Sequence, residues 1–192
     1  MDLSLASWRE QTAAMYLSDA DLPGFRARRD AMFRSHPQSP VDRATFTGLP
    51  YHPASAFRCE ATLQPVDDNG VVEVDTGGED GVVRYRRLGR VETPWGGLTL
   101  LWILAYGGGL FLPFRDATSG DTTYGGGRYL TDTVKGTFGR GVTLLAGDRV
   151  ALDFDYAYNP SCAYDSRWAC PLPPVENWLQ LPIEAGERTP AS

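Results

Sequence analysis

The sequence is poor in the residues that metal sites and histidine-dependent catalysis need. It has three cysteines and two histidines, which are Cys59, Cys162, Cys170, His36 and His52. Seven residues separate Cys162 from Cys170, whereas a zinc knuckle places two to four residues between its cysteines. A Cys162 or Ser119 nucleophile would need a distant histidine as its base, and Ser119 also lacks the GxSxG elbow. We therefore predict no metal and no cofactor, and the spacing leaves open whether the two thiols are paired, free or metal-bound.

Positive charge is also scarce. The 192 residues include 18 Lys and Arg against 24 Asp and Glu, which gives a net charge of −6 and a pI near 4.9. Proteins that bind phosphate backbones or anionic lipids depend on dense positive charge, so we expect neither nucleic-acid nor membrane partners. Lys135 is the single lysine beside 17 arginines, a bias typical of GC-rich bacterial genomes. The oligomeric state stays open.

The first residues lack the apolar core of a signal peptide. Met1–Gln11 carries Asp2, Arg9 and Glu10, and the cysteine count is odd. A reduced, cytoplasmic setting is therefore expected.

One stretch, Pro94–Phe114, lacks charged residues and is long enough to test as a membrane span. Its two prolines and five glycines would break a helix twice. The pattern instead predicts two buried strands, Leu98–Ala105 and Leu110–Phe114, joined by the glycine turn Gly107–Gly109.

The N-terminal part is predicted to be helical. Trp8–Leu17 fits a short helix, and Ser18 or Asp19 is a candidate cap for the next one. In Phe25–Phe33 the spacing of Phe25, Arg29, Met32 and Phe33 places one arginine on an otherwise apolar face.

From Phe57 onward, alternating polarity and turn signals every 8–12 residues predict antiparallel strands. The predicted strands begin at Phe57 and continue as Val71–Thr76, Val82–Leu88, Thr122–Leu130, Gly141–Leu145, Arg149–Tyr156 and Trp178–Glu184, with turns at Asp67–Gly70 and Gly77–Gly81. The expected fold is mainly β, an antiparallel barrel or curved sandwich of about eight to ten strands with short N-terminal helices. The expected organisation is a helical segment packed on the sheet (1–45), one β domain (46–186) and a frayed tail (187–192).

Two segments concentrate polar side chains beside glycine and proline, as binding sites do. They are Phe111–Leu130 and Asp153–Asn177. Arg115 and Arg128 are candidate ligand-binding residues, because a guanidinium matches a carboxylate or phosphate bidentately. The structural alternative pairs Arg115 with Asp116 or Asp153, and Arg128 with another carboxylate.

Tyrosines and an aspartate pair complete the candidate site. Tyr129 and Asn159 are predicted to contact a ligand, while Asp153, Tyr124 and Tyr164 are candidate catalytic proton carriers. Asp153 and Asp155 are two apart on a predicted strand, which would place both carboxylates on one face within reach of a shared proton. Core tyrosines and a solvated strand face explain the same pattern. Gly125–Gly127 lacks a P-loop lysine, so its expected role is to let the backbone approach a neighbour or a ligand.

The chain resembles a known family in four ordered motifs, PFRDATSG, TYGGGRYL, AYNPSCAYD and CPLPPVENWL, which lie at 113–120, 123–130, 157–165 and 170–179. Three earlier pieces, RRD, HPQSP and FTGLPY, also fit. These segments are similar to the bacterial and archaeal domain of unknown function 1684. The resemblance spans nearly the whole chain and implies no established activity.

The residues themselves therefore support three functional hypotheses. The first is a barrel pocket for a small anionic organic molecule, with metal-independent acid–base or hydrolytic chemistry as an added possibility. The second is a non-catalytic ligand- or protein-binding module that exposes Pro171–Trp178. The third is an internal polar lock that fixes Asp153–Asn177 on the sheet.

Overall fold

The structure, a computed structural model, describes residues 2–68, 70–78 and 81–190. In this part of the chain two α-helices precede eight β-strands. The helices are α1 (Ser4–Tyr16) and α2 (Leu22–Ser35). The strands are β1 (Arg58–Thr62), β2 (Val71–Asp75), β3 (Val82–Thr93), β4 (Gly96–Ile103), β5 (Leu110–Phe114), β6 (Arg128–Asp132), β7 (Val142–Leu144) and β8 (Arg149–Asp153). Four single 3₁₀ turns lie at Thr133–Lys135, Phe154–Tyr156, Ser161–Ala163 and Val175–Asn177.

The strands form two antiparallel sheets. Strands β2 to β6 pair in chain order as a meander of five, and β8 lies between β1 and β7 in a sheet of three. The mainly β prediction is confirmed. The described strands do not close into a barrel, so the barrel alternative is wrong.

The main core contains apolar side chains from both sheets. Leu98 and Leu112 from the larger sheet join Val150 and Leu152 from the smaller one, and each is at most 3% exposed. The opposite face of the larger sheet holds a second cluster around Tyr85, Phe111 and Tyr129. Strand β6 is therefore buried at every position, because both of its faces are covered.

Both predicted helices are present, but α1 begins four residues earlier than predicted, at Ser4, and the cap of α2 also differs. Phe25, Arg29, Met32 and Phe33 are the buried residues of α2, which confirms the mixed face. The cap is Asp21 instead of Ser18 or Asp19. Its Oδ1 accepts a hydrogen bond from the Gly24 N–H at 2.9 Å, and this satisfies one of the free donors of the first turn.

The glycine-rich run forms the predicted hairpin. Strand β4 pairs with β5 through Leu101↔Phe111, and Gly107 and Gly108 adopt positive φ in the turn between them. No helix among the described residues is both long and apolar enough to span a membrane. The predicted turns at Asp67–Gly70 and Gly77–Gly81 include residues 69, 79 and 80, which lie outside the described residues.

Two predicted strands are shorter than expected. Thr122–Leu130 is strand only from Arg128, because the preceding residues form turns, in which the Thr123 N–H donates to the Thr118 carbonyl at 3.1 Å and the Gly127 N–H to the Tyr124 carbonyl at 2.9 Å. Arg149–Tyr156 ends as a strand at Asp153, whose Oδ1 accepts the Asp155 N–H at 3.0 Å and starts a 3₁₀ turn.

Trp178–Glu184 was predicted as a strand and is irregular instead. It makes one isolated bridge, Arg115↔Trp178, and the Ile183 N–H donates to Asp116 Oδ1 at 3.3 Å. A side chain therefore takes the donor that a strand would use in a ladder.

The tail is not frayed at its beginning. Glu187 is 1% exposed, and its N–H donates to the Ala157 carbonyl at 2.9 Å. Arg188 and Thr189 donate their N–H groups to Pro50 and Thr122 carbonyls. Ala191 and Ser192 lie outside the described residues.

Candidate functional site

Arg128 is enclosed in the protein and lines neither of the two cavities described below. Its guanidinium is fully buried and pairs with Asp116 Oδ2 at 2.8 Å. It also donates to the carbonyls of Ile183 at 2.9 Å, Glu187 at 3.1 Å, and Ala185. Burial lowers the pKa of Arg128, while Asp116 opposes that shift. In this structure Arg128 is therefore occupied by internal partners, and its two Nη groups hold the 183–187 segment on β6.

Arg115 makes contacts that differ from those of Arg128. Its guanidinium carbon is 4.6 Å from the ring centroid of Trp178, a cation–π contact. Its backbone N–H and C=O bond to Asn177 and Leu179. No ion pair of Arg115 with Asp116 or Asp153 occurs in the described structure, and Arg115 lines neither cavity considered below. The two arginines therefore do not form a shared anion site.

The proposed aspartate pair is also absent. Asp155 is 3% exposed and accepts hydrogen bonds from the N–H and hydroxyl of Ser55 at 2.9–3.2 Å. Asp153 instead caps the turn that begins after it, and burial raises the pKa of Asp153. Because the strand ends between them, the carboxylates do not share a strand face, and Asp153 lines neither cavity. It is not placed to act with Tyr124 or Tyr164.

A buried carboxylate, Glu187, organises the region that does contain predicted site residues. Its Oε1 accepts from Arg29 Nε at 2.5 Å, and its Oε2 accepts from the Asn159 N–H at 2.8 Å and the Tyr164 hydroxyl at 2.6 Å. Burial raises the pKa of Tyr164, and the negative charge of Glu187 raises it further. Tyr164 therefore stays a neutral donor with a fixed ring.

The larger cavity, which we call the Tyr124 cavity, lies between the 41–50 segment and the Tyr164 ring. Its volume is about 710 Å³. Its lining consists of Val41, Asp42, Thr45, Phe46, Thr47, Gly48, Leu49, Pro50, Tyr124, Ala163, Tyr164, Thr189 and Pro190. Hydroxyl groups and apolar surface alternate around it, and no Arg or Lys occurs in this described lining.

The smaller cavity, which we call the Arg29 cavity, lies on the other side of Tyr164, against the helices. Its volume is about 50 Å³. It is lined by Trp8, Thr12, Arg29, Phe33, Tyr129, Lys135, Thr137, Tyr158, Asn159, Pro160, Ser161 and Tyr164. The Tyr129 hydroxyl is used by the Pro171 carbonyl at 2.6 Å, so Tyr129 contributes only its ring.

Two cysteines lie beside the Tyr124 cavity. The Tyr124 hydroxyl donates to Cys162 Sγ at 3.7 Å, and burial, the largest cause, raises the pKa of Tyr124 to about 12. The two thiols influence each other: the neighbouring Cys170 raises the pKa of Cys162, and Cys162 lowers the pKa of Cys170. All three cysteines are free thiols. No cluster of three or more His, Cys, Asp or Glu suited to a metal occurs among the described residues.

The structure thus brings together four of the seven predicted site residues. Tyr124 and Tyr164 face the larger cavity, while Tyr129, Asn159 and Tyr164 line the smaller one. Sequence reasoning missed Arg29 and Glu187. Arg29 carried a usable signal, a charge on the apolar face of α2. Glu187 carried none, because a lone glutamate near a polar tail is ordinarily solvated.

The predicted surface at Pro171–Trp178 is exposed in part. Leu172, Val175 and Trp178 are 44%, 73% and 42% exposed. Asn177, in contrast, is fully buried, and its amide bonds to the Thr99 N–H, the Thr99 carbonyl and the Pro113 carbonyl at 2.7–3.0 Å. A protein partner for this segment stays a prediction.

The architecture defines a two-sheet, mainly β protein with two N-terminal helices and two cavities around a buried glutamate. A family model described as "Protein of unknown function (DUF1684)" matches residues 44–188, and the chain belongs to this family. This confirms the resemblance.

A solved structure is similar over almost the entire length. It is the solution NMR structure of an uncharacterized protein from gene locus rrnAC0354 of Haloarcula marismortui, with 34% identity, 98% of each chain covered and a TM-score of 0.60. No curated protein matches the chain.

Proposed function

We propose that the protein binds a small organic molecule in the Tyr124 cavity and does so without catalysing a reaction. The size of the cavity, about 710 Å³, carries this proposal, since sites for small ligands usually measure roughly 300–1,000 Å³. The proposal keeps the small-molecule part of the sequence prediction. The prediction that the molecule is anionic depended on Arg115 and Arg128, which do not line this cavity.

The walls of the cavity are fixed before a ligand arrives. Tyr164 is held by Glu187, and the Leu49 N–H donates to Asp30 Oδ1 at 3.2 Å. The Arg188 N–H donates to the Pro50 carbonyl at 2.9 Å. A preformed site avoids the entropic cost of ordering loops on binding.

The lining favours a ligand without net negative charge. Aromatic surface from Phe46, Tyr124 and Tyr164 suits a flat apolar body, and threonine hydroxyls suit its polar groups. Asp42 would repel a carboxylate. Binding is favoured over catalysis because Asp153, the predicted proton carrier, lies outside the lining, and Tyr124 keeps its proton at neutral pH.

Protein-observed ¹H–¹⁵N NMR with a library of neutral aromatic fragments tests the proposal. We expect hits that shift the backbone amides of Gly48, Ala163 and Thr189. Ala163→Phe, which fills the cavity, should abolish these shifts, while Ala56→Phe at an exposed position outside the lining should not. A hit that binds Ala163→Phe as tightly as the natural protein, or a library without any hit at these amides, would contradict the proposal.

A further inference from the structure

The Arg29 guanidinium is buried, but only one of its edges is used. The side chain is 6% exposed, and Nε donates to Glu187. Neither Nη group donates to any atom in the described part of the chain, although both belong to a side chain that lines the Arg29 cavity. Buried guanidinium donors are ordinarily paired, and this Nη edge has no protein acceptor among the described residues.

The orientation of this guanidinium is fixed. Its central carbon lies 4.7 Å from the ring centroid of Phe33 and 5.2 Å from that of Tyr158. Glu187 fixes the Nε edge. The two remaining Nη donors are therefore held side by side, and this is the arrangement that receives the two oxygens of a planar oxyanion.

The lining of the cavity is positively charged. Among the described residues it contains two cations, Arg29 and Lys135, and no carboxylate. Glu187 opposes the charge of Arg29 from outside the lining. Lys135 is exposed at the protein surface.

The volume limits the size of the anion. A cavity of about 50 Å³ holds about one or two waters, since each water takes about 30 Å³ of liquid volume. That is enough for the head of a small carboxylate. The Oδ1 atom of Asn159, another lining residue, is buried and has no donor partner within the described structure. A ligand that carries its own O–H, such as bicarbonate, would supply one.

We propose that the Arg29 cavity is a second binding site, distinct from the Tyr124 cavity, and that it takes a small planar carboxylate of acetate or bicarbonate size. The two oxygens accept hydrogen bonds from the two Nη groups of Arg29. Lys135 adds positive charge. The proposal does not depend on a ligand in the Tyr124 cavity.

Titration with sodium acetate, followed by ¹H–¹⁵N NMR, tests this site, with sodium chloride at matched ionic strength as the reference. We expect saturable shifts of the Asn159 and Ser161 amides with acetate and not with chloride. Arg29→Lys keeps the charge but loses the paired donors, and should weaken acetate binding at least tenfold.

Two further variant pairs keep the test decisive if Arg29→Lys does not fold. Ser161→Leu fills the cavity without changing charge, and Ser166→Leu is its exposed control outside the lining. Lys135→Ala should weaken binding severalfold, whereas Arg28→Ala, the same charge change on the exposed side of α2, should not. Equal shifts with chloride, or acetate binding that survives Ser161→Leu, would overturn the proposal.

Discussion

Single buried charges determine which side chains are free to bind. Arg128 and Arg29 both lie on regular elements. The two Nη groups of Arg128 donate to a carboxylate and three carbonyls. In Arg29 only Nε has a protein acceptor, and the two Nη groups have none in the described structure. Residue type alone does not distinguish them. The difference lies in the partners, which come from distant segments that sequence patterns do not place.

The Arg128–Asp116 pair should be essential for stability. Arg128→Ala would leave a buried carboxylate without its cation, and breaking such a pair costs about 3–5 kcal/mol. We expect the free energy of unfolding, measured by urea denaturation, to fall by that amount. The matched control is Arg149→Ala, whose partner Glu60 is more than half exposed, with an expected loss of about 1 kcal/mol or less. Equal losses in the two variants would contradict the structural role of Arg128.

His52 should make the protein less stable in mild acid. Burial, the main cause, lowers the pKa of His52 below 6.5, and its Nε2 is buried without a partner in the described structure. Below pH 6.5 the unfolded chain binds a proton that the folded chain resists, so stability falls as pH decreases through this range. Urea midpoints between pH 8 and 5 should decline more steeply for the natural protein than for His52→Gln. Parallel declines would show that His52 does not contribute.

At the scale of elements, local signals predicted most of the fold. Alternating polarity identified β1, and the uncharged run with its glycine turn identified the β4–β5 hairpin. The signals failed where turn bonds or a side chain replaced the partners of a ladder. The beginning of 122–130 forms turns through the Thr123 and Gly127 N–H groups, and within 178–184 the Asp116 carboxylate binds the Ile183 N–H. Such capture depends on tertiary contact and has no periodic signature.

At Gly127, in the glycine triplet Gly125–Gly127, the backbone closely approaches its neighbours, as the sequence predicts. A Cβ at this position would lie 2.6 Å from the Phe114 carbonyl and 2.8 Å from Pro173 Cγ. The triplet thus lets the Pro171–Trp178 segment pack against β5 and β6. This part of the site could be predicted because the steric requirement belongs to glycine itself.

Gly127→Ala should therefore lower the stability of the protein more than Gly120→Ala does. Gly120 has the same φ of +91° and nothing within 4 Å of its would-be Cβ. Both variants incur the left-handed penalty of about 1–2 kcal/mol, and Gly127→Ala adds the clash. Thermal unfolding should show a clearly lower melting temperature for Gly127→Ala. Equal melting temperatures would indicate that the segment moves away at little cost.

At the scale of the whole molecule, one carboxylate connects the helices to the β domain. Glu187 joins Arg29 on α2 to Asn159 and Tyr164 on the loop over the sheet. Two of the predicted site residues, Asn159 and Tyr164, converge on this carboxylate. The convergence itself could not be predicted, because it depends on a contact between residues 158 positions apart.

Glu187→Gln should loosen the helices selectively. The amide still accepts hydrogen bonds from Tyr164 and Asn159, but it leaves the Arg29 charge uncompensated in a buried position. We expect faster amide hydrogen exchange in α2 with unchanged exchange in β4 and β5. Asp75→Asn, on an exposed strand position, is the control for loss of one negative charge. Unchanged α2 exchange would show that the helices dock independently of Glu187.

The separation between Arg29 and Glu187 also has a consequence for biosynthesis. The ribosome synthesises α2, which carries Arg29, before the β domain. Nearly the whole β domain must be synthesised before Glu187, the anionic partner of Arg29, emerges. Until then the guanidinium stays hydrated, because dehydrating it alone is too costly. Docking of the helical layer is thus expected late in translation, and a nascent chain arrested short of residue 187 should show protease-sensitive helices beside a protected sheet.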